Sequence, residues 1–171
     1  MPEATGITLT PAAVTDFPTL RDLAGTIWRR HYAGIVSAEQ IDFMLARRFS
    51  DEALQAWVGA ADRWLEVLRV DGAPVGYCSS EAEAEHPEAL TLRQLYLLES
   101  HRVRGLGRFM LGHVESRART LGKSAVRLQV NKRNATALAF YRAAGFSVRE
   151  AAVFDIGDGF VMDDYVMEKR L

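Results

Sequence analysis

One stretch constrains the chain more than any other: the hydrophobic period switches from strand to helix and back between residues 90 and 130. Leu90 to Leu98 is a long, largely apolar strand broken by Arg93 and Gln94. Leu106, Phe109, Met110, Val114, Ala118 and Leu121 then mark one face of a helix, and Gly122 follows it as a C′ glycine. Ala125 to Val130 alternates Val126, Leu128 and Val130 with Arg127 and Gln129, which predicts a strand with one buried face. A strand–helix–strand unit of this length suits a right-handed crossover between parallel strands.

The flanking segments add antiparallel partners. Ile7 to Thr10 reads as a short strand. Phe17, Leu20, Leu23, Ala24, Ile27 and His31 recur at helical spacing behind an Asp16 cap, with Pro18 in the first turn. Ser37 and Gln40 form a capping-box pattern opening a second helix to about Phe49, and Ser50 caps a shorter one with Leu54 and Trp57. Trp64 to Val70 and Ala73 to Ser80, joined by Asp71-Gly72, read as a hairpin. A helix from about Asn134 to Ala144 ends at Gly145. Two strands, Ser147 to Phe154 and Phe160 to Lys169, close the chain. The expected class is α/β (α+β): a mixed central sheet of about six to seven strands with helices on both faces.

Composition bounds what such a fold can do. At 171 residues, without a Pro/Gly/Ser linker or a repeat, one domain over 1–171 is expected. The single cysteine, Cys78, excludes an internal disulfide framework and a cysteine zinc cluster, and the four histidines lack metal-ligand spacing. No metal is expected. Lys plus Arg number 21 against 22 Asp plus Glu, so the surplus positive charge of a general nucleic-acid binder is missing. The first ten residues lack a signal-peptide layout, and no apolar run approaches the ~18 residues of a membrane span. A cytoplasmic protein with no membrane partner is expected.

Within the crossover, Arg102-Val103-Arg104-Gly105-Leu106-Gly107-Arg108 lies between strand and helix. Backbone N–H groups at a helix start attract anions, glycine permits close approach, and three arginines add local positive charge. The combination suits a pyrophosphate, while a plain solvated helix cap accounts for it equally well. The Gly-Lys-Ser/Thr ending of a P-loop is absent, and Met110 stands where the dinucleotide fingerprint has its third glycine.

This segment resembles the R/Q-x-x-G-x-G/A pattern of the GNAT acyltransferase superfamily, with Arg102, Gly105 and Gly107 in the defining places. Asn134 to Phe146 is similar to that family's N-x-x-A-x-x-F-Y-x-x-x-G-F signature, and the order of strands and helices from about Ile7 to Leu171 also agrees. The resemblance implies the GNAT fold, in which the two central parallel strands splay apart to admit acyl-CoA. It implies that the backbone of Leu95, Tyr96, Leu97 and Leu98 pairs with pantetheine. The amides from Val103 through Arg104, Gly105, Leu106 and Gly107 to Arg108 would hold the pyrophosphate. Asn134 would help hold the cofactor, although it also reads as the N-cap of its helix.

Tyr141 occupies the position of the family's usual tyrosine. A phenol stays protonated at neutral pH and can donate to a departing thiolate; the alternative is a core tyrosine beside Phe140 and Phe146. The family's strand glutamate, which draws the amine proton, is missing: counting back from Arg102 reaches Thr91. Glu81, Glu83, Glu85, His86, Glu99 and a water chain remain as bases. Cys78 reads as a small core residue rather than a nucleophile. Trp28, Tyr32 and Glu81 are candidates for the acceptor pocket, with helix packing and edge protection as their alternatives.

The resulting expectation is an N-acetyltransferase carrying an acetyl group from acetyl-CoA to a primary amine of a small molecule, polyamine or peptide in a ternary complex. A non-catalytic acyl-CoA-binding or sensing module and a phosphate-binding regulator are the alternatives. The apolar group Phe154, Ile156, Phe160 and Val161 leads to the expectation of a homodimer through the last hairpin or an adjacent edge.

Overall fold

The computed structural model describes residues 6–102 and 105–171. Strand β1 (Ile7–Pro11) is followed by α1 (Phe17–His31), α2 (Ala38–Arg48) and the short α3 (Asp51–Gln55). Then come β2 (Arg63–Val70), β3 (Ala73–Glu81) and β4 (Ala89–Leu97). The rest is α4 (Leu106–Thr120), β5 (Ala125–Asn131), α5 (Ala135–Ala143), β6 (Ser147–Gly157) and β7 (Phe160–Arg170). The strands form one seven-stranded mixed sheet in the order β1-β2-β3-β4-β5-β7-β6.

The crossover read from the sequence is present. β4 and β5 pair in parallel over Ala89–Leu92 against Ala125–Leu128, and the register ends there although both strands run on. Along its whole length, β5 pairs antiparallel with β7, which pairs antiparallel with β6. Asp71 and Gly72 join β2 to β3 with both φ angles positive, 50° and 82°. Two consecutive left-handed residues match the twist of a hairpin, which is why Asp-Gly serves there.

Contacts divide the described residues into two compact units. One holds those up to Ser80 with Gln94–Leu111; the other holds Glu81–Arg93 with Gly112–Leu171, so β4 and α4 each contribute to both. The first unit is built around α1, whose buried stripe is Phe17, Leu20, Leu23, Ala24, Ile27 and Trp28. In the second, Lys169 Nζ donates to Glu115 of α4 at 2.7 Å, and the same lysine side chain lies against Gly145 at the end of α5. Both helices thus cover the Lys169 face of β7.

The caps follow the sequence with one difference. Ser37 accepts from the Gln40 N–H and Ser50 from the Ala53 N–H, each at 3.1 Å. Asp16 stands ahead of α1 but does not cap it. Its carboxylate accepts from the Ala13 N–H and pairs with Arg69 of β2 at 2.6 Å. With one oxygen on the Ala13 N–H and the other on the Arg69 guanidinium, the carboxylate is already engaged away from the α1 amides. Among the described residues, no helix is long and apolar enough to cross a membrane.

Candidate functional site

In the first unit, the end of β4 meets an aromatic cluster. Trp28, fully buried, donates its Nε1–H to the Tyr77 hydroxyl at 2.8 Å. The Tyr32 and Tyr96 hydroxyls lie 2.7 Å apart. Trp28 stands edge-on to Phe49 and Tyr32, and the Tyr77 and Tyr96 ring centroids are 5.6 Å apart. Arg48 caps the group, its guanidinium 5.7 Å from the Trp28 ring. Burial pushes the Tyr32 and Tyr77 hydroxyls well above their usual range, so both stay protonated at any working pH. Trp28 and Tyr32, expected at the acceptor pocket, therefore come together with Tyr96 of the expected cofactor strand. Trp28 itself is interior.

His31 stacks edge-on against Tyr32 and Tyr96, at 4.9 and 5.8 Å between centroids. Burial, then the positive charge of Arg102, lower it from 6.5 to about 4, so the imidazole is neutral at physiological pH. Sequence reading had no signal for this arrangement beyond the adjacency of His31 and Tyr32. A cavity of about 330 Å³ opens nearby, lined by Thr26, Ile27, Arg30, Leu97, Glu99 and Arg102 among others. Arg30 and Glu99 pair across it at 2.8 Å.

The glycine turn begins beyond β4. Leu95 and Tyr96 are half-buried and Leu97 is buried. Arg102 and Arg108 are exposed on either side of the turn; Val103 and Arg104 lie outside the described residues. Gly105 adopts a φ of +73°, and its carbonyl accepts from the Phe109 N–H at 3.0 Å, opening α4. A Cβ at Gly105 would touch nothing within 4 Å, so conformation rather than space requires glycine. Leu106 and Gly107 are buried in the first turn of α4. The N–H groups of that turn have no carbonyl partner within the helix, so the turn can accept an anion.

In the second unit, α5 carries the signature. Asn134 is buried and its Oδ1 accepts from the Ala137 N–H at 3.1 Å, so it caps the helix. Tyr141 is 9% exposed, with Phe140 at 5.1 Å and Phe146 at 5.5 Å between ring centroids. Both ring neighbours anticipated from the sequence are there.

Glu81, the remaining acceptor candidate, accepts twice from Arg93 of β4, at 2.9 and 2.6 Å. The same guanidinium pairs with Glu83. Thr91, which stands where the strand glutamate was sought, donates its hydroxyl to Glu83 at 2.5 Å. A carboxylate from the chain between β3 and β4 is thus held against that position. No periodicity in the sequence could have paired Glu83 with Thr91. Among the described residues, no group of three or more His, Cys, Asp or Glu could hold a metal ion.

Comparison with known proteins agrees with this geometry. The profile of the Acetyltransferase (GNAT) family matches residues 22–146. The chain is 27% identical over 162 residues to the spermidine N(1)-acetyltransferase of Thermoplasma acidophilum, covering 92% of this chain and 93% of the relative. It superposes on the crystal structure of the PaiA N-acetyltransferase of that organism in complex with coenzyme A. There the identity is 25% and the TM-score 0.80, over 97% of this chain and 99% of that one. An N-acetyltransferase from Rhodopseudomonas palustris, 17% identical with a TM-score of 0.81 over 98% of both chains, shares the fold. These likenesses decide for the enzyme over the sensing module and the phosphate-binding regulator: the chain belongs to the GNAT family of acetyltransferases.

Proposed function

We propose that the protein transfers an acetyl group from acetyl-CoA to a primary amine, the amine nitrogen attacking the thioester carbon while both substrates are bound. The observation that carries this reading is the turn opening α4. Gly105 there takes a left-handed conformation at a helix start flanked by the exposed Arg102 and Arg108, in a chain whose net charge is −1. Local cationic character at a helix start suits a pyrophosphate. Arg102, Gly105, Leu106, Gly107 and Arg108 hold it in this reading, with Val103 and Arg104 contributing from the segment between. Leu95, Tyr96 and Leu97 offer their backbone to the pantetheine arm, and Asn134 assists from the start of α5.

Bound acetyl-CoA supplies an activated thioester carbonyl. Tyr141 holds a proton on its phenol oxygen and gives it to the departing thiolate as the C–S bond breaks and the C–N bond forms. The amine's own proton goes to a carboxylate, and Glu83 is the choice by position, since the Thr91 hydroxyl holds it at the strand site where the family has its glutamate. Glu81 and Glu83 bring two carboxylates together on the Arg93 guanidinium, and acidic residues near a pocket suit a cationic amine. The spermidine acetyltransferase relative points the same way, so polyamines are the first acceptors to try. A second copy of the chain pairing along the edge strand β6 belongs to this reading.

A panel of polyamines, amino-sugars and peptide amines assayed for CoA release tests the proposal, with a polyamine expected among the acceptors. Calorimetry on Gly107→Glu supplies the cofactor half: a side chain and a negative charge against the phosphates should abolish acetyl-CoA binding. Unchanged affinity in that variant, or no product with any amine, would sink the reading.

A further inference from the structure

Gly76 of β3 has almost no room above its α-carbon. A Cβ built there would lie 2.5 Å from the Tyr96 carbonyl oxygen, 2.8 Å from Leu97 Cδ2 and 3.5 Å from Leu97 Cα. Gly76 is not among the residues of positive φ, so space alone demands glycine. By contrast, a Cβ on Gly25 in α1 would meet nothing within 4 Å. Side chains stand roughly perpendicular to a sheet. A carbonyl oxygen in the place of the Gly76 side chain therefore sits off the plane of β3. At Tyr96–Leu97, strand β4 fills the space that a side chain on Gly76 would take.

This close approach is pinned from several sides. The Leu98 N–H donates to the Val75 carbonyl at 2.9 Å, one residue before Gly76. The Tyr96 ring lies beside Tyr77 and its hydroxyl meets Tyr32. Val75 and Leu97 are buried. The atom nearest to that built Cβ is a main-chain oxygen, which cannot rotate out of the way as a side-chain tip can. Any side chain at residue 76 must push β4 aside.

We propose that Gly76 is a positioning residue for the acyl donor: its bare α-carbon lets β4 pack closely against β3 and sets the direction in which the Leu95–Leu97 backbone faces acetyl-CoA. The inference rests on the reading above that these residues meet the pantetheine arm. A hydrogen-bonded strand contact tolerates little misplacement, so a small displacement of β4 weakens the cofactor specifically.

Gly76→Ala, compared with Gly25→Ala and the unchanged protein, tests it. Gly76→Ala should raise both the Kd for CoA and the KM for acetyl-CoA on the order of tenfold. Its KM for the amine and its kcat at saturating acetyl-CoA should stay near those of the unchanged protein, and Gly25→Ala should alter neither constant. A folded Gly76→Ala with lowered thermal stability but unchanged Kd and KM for the donor would overturn the proposal, because the glycine would then serve packing alone. Should that variant not fold, amide exchange of the unchanged protein decides. CoA should slow the amides of Leu95–Leu97 that are not already bonded to β3 and leave those of β1 untouched. CoA binding without that protection would overturn the inference while sparing the proposed reaction. Failure of the unchanged protein to bind CoA would remove the reading and the inference together.

Discussion

Two aromatic groups in this protein assemble over very different stretches of chain. At the end of α5, Phe140, Tyr141 and Phe146 come from one helix and the glycine turn behind it, with ring centroids 5.1 and 5.5 Å apart. Around Trp28, the rings come from α1, the loop after α2, β3 and β4, and the two polar pairs bridge 49 and 64 residues of chain. The first group needs only its own segment to form. The second exists only once four parts of the chain have docked, so its members spend their polar atoms on each other and hold the unit together.

The largest effect expected from this contrast is catalytic. Tyr141→Phe removes the phenol and keeps the ring, so turnover should fall about 10²–10⁴-fold, or roughly 3–5 kcal/mol of barrier, with acetyl-CoA affinity little changed. Steady-state rates check it, and a thioester with a better leaving thiolate should shrink the loss. Equal rates would make Tyr141 a packing residue like those of the other group.

Tyr77→Phe should do the reverse. It strands the buried Trp28 Nε1–H without its acceptor, a loss of about 1–3 kcal/mol in urea unfolding with kcat intact. A fall in turnover larger than the fall in stability would erase the distinction.

His31 sharpens the comparison through pH. Its folded value of about 4 lies below the ordinary 6.5, so the unfolded chain binds the extra proton. Its contribution to stability is complete above about pH 6.5, is lost as pH falls through that value, and levels off near 4. Part of the ring meets solvent, so the loss is discounted to on the order of 1–2 kcal/mol. Thermal unfolding between pH 7 and 4 should show this slope, and His31→Gln should flatten it.

The smallest effect belongs to the Tyr32–Tyr96 hydroxyl pair. Single and double changes to Phe should give a coupling energy of about 1 kcal/mol by denaturant unfolding. A coupling of zero would mean the two hydroxyls act independently despite their distance.

How legible these regions are follows from contact range. The caps at Ser37, Ser50 and Asn134 and the Asp71-Gly72 turn are set by neighbours a few residues apart, as is the periodicity of β4, α4 and β5, and the sequence shows them. Asn134 to Phe146 is legible as a signature because helix spacing alone brings Tyr141 to its partners. The glycine turn before α4 is legible through its glycines and arginines for the same reason. Asp16 was misjudged as a cap because its partner, Arg69, arrives only with the pairing of β1 and β2.

By itself, then, the sequence determined the elements, their order, the mixed sheet and the family motifs, since each rests on local periodicity or on a backbone conformation that few residues adopt. Only the tertiary structure decided which hydroxyl meets which, that Thr91 and Arg93 hold Glu83, that His31 is kept neutral beside Arg102, and that Gly76 lies under the Tyr96 carbonyl. Those outcomes depend on strand register and helix docking. A shift of one residue in a strand would turn every one of its side chains to the other face and make a different set of partners.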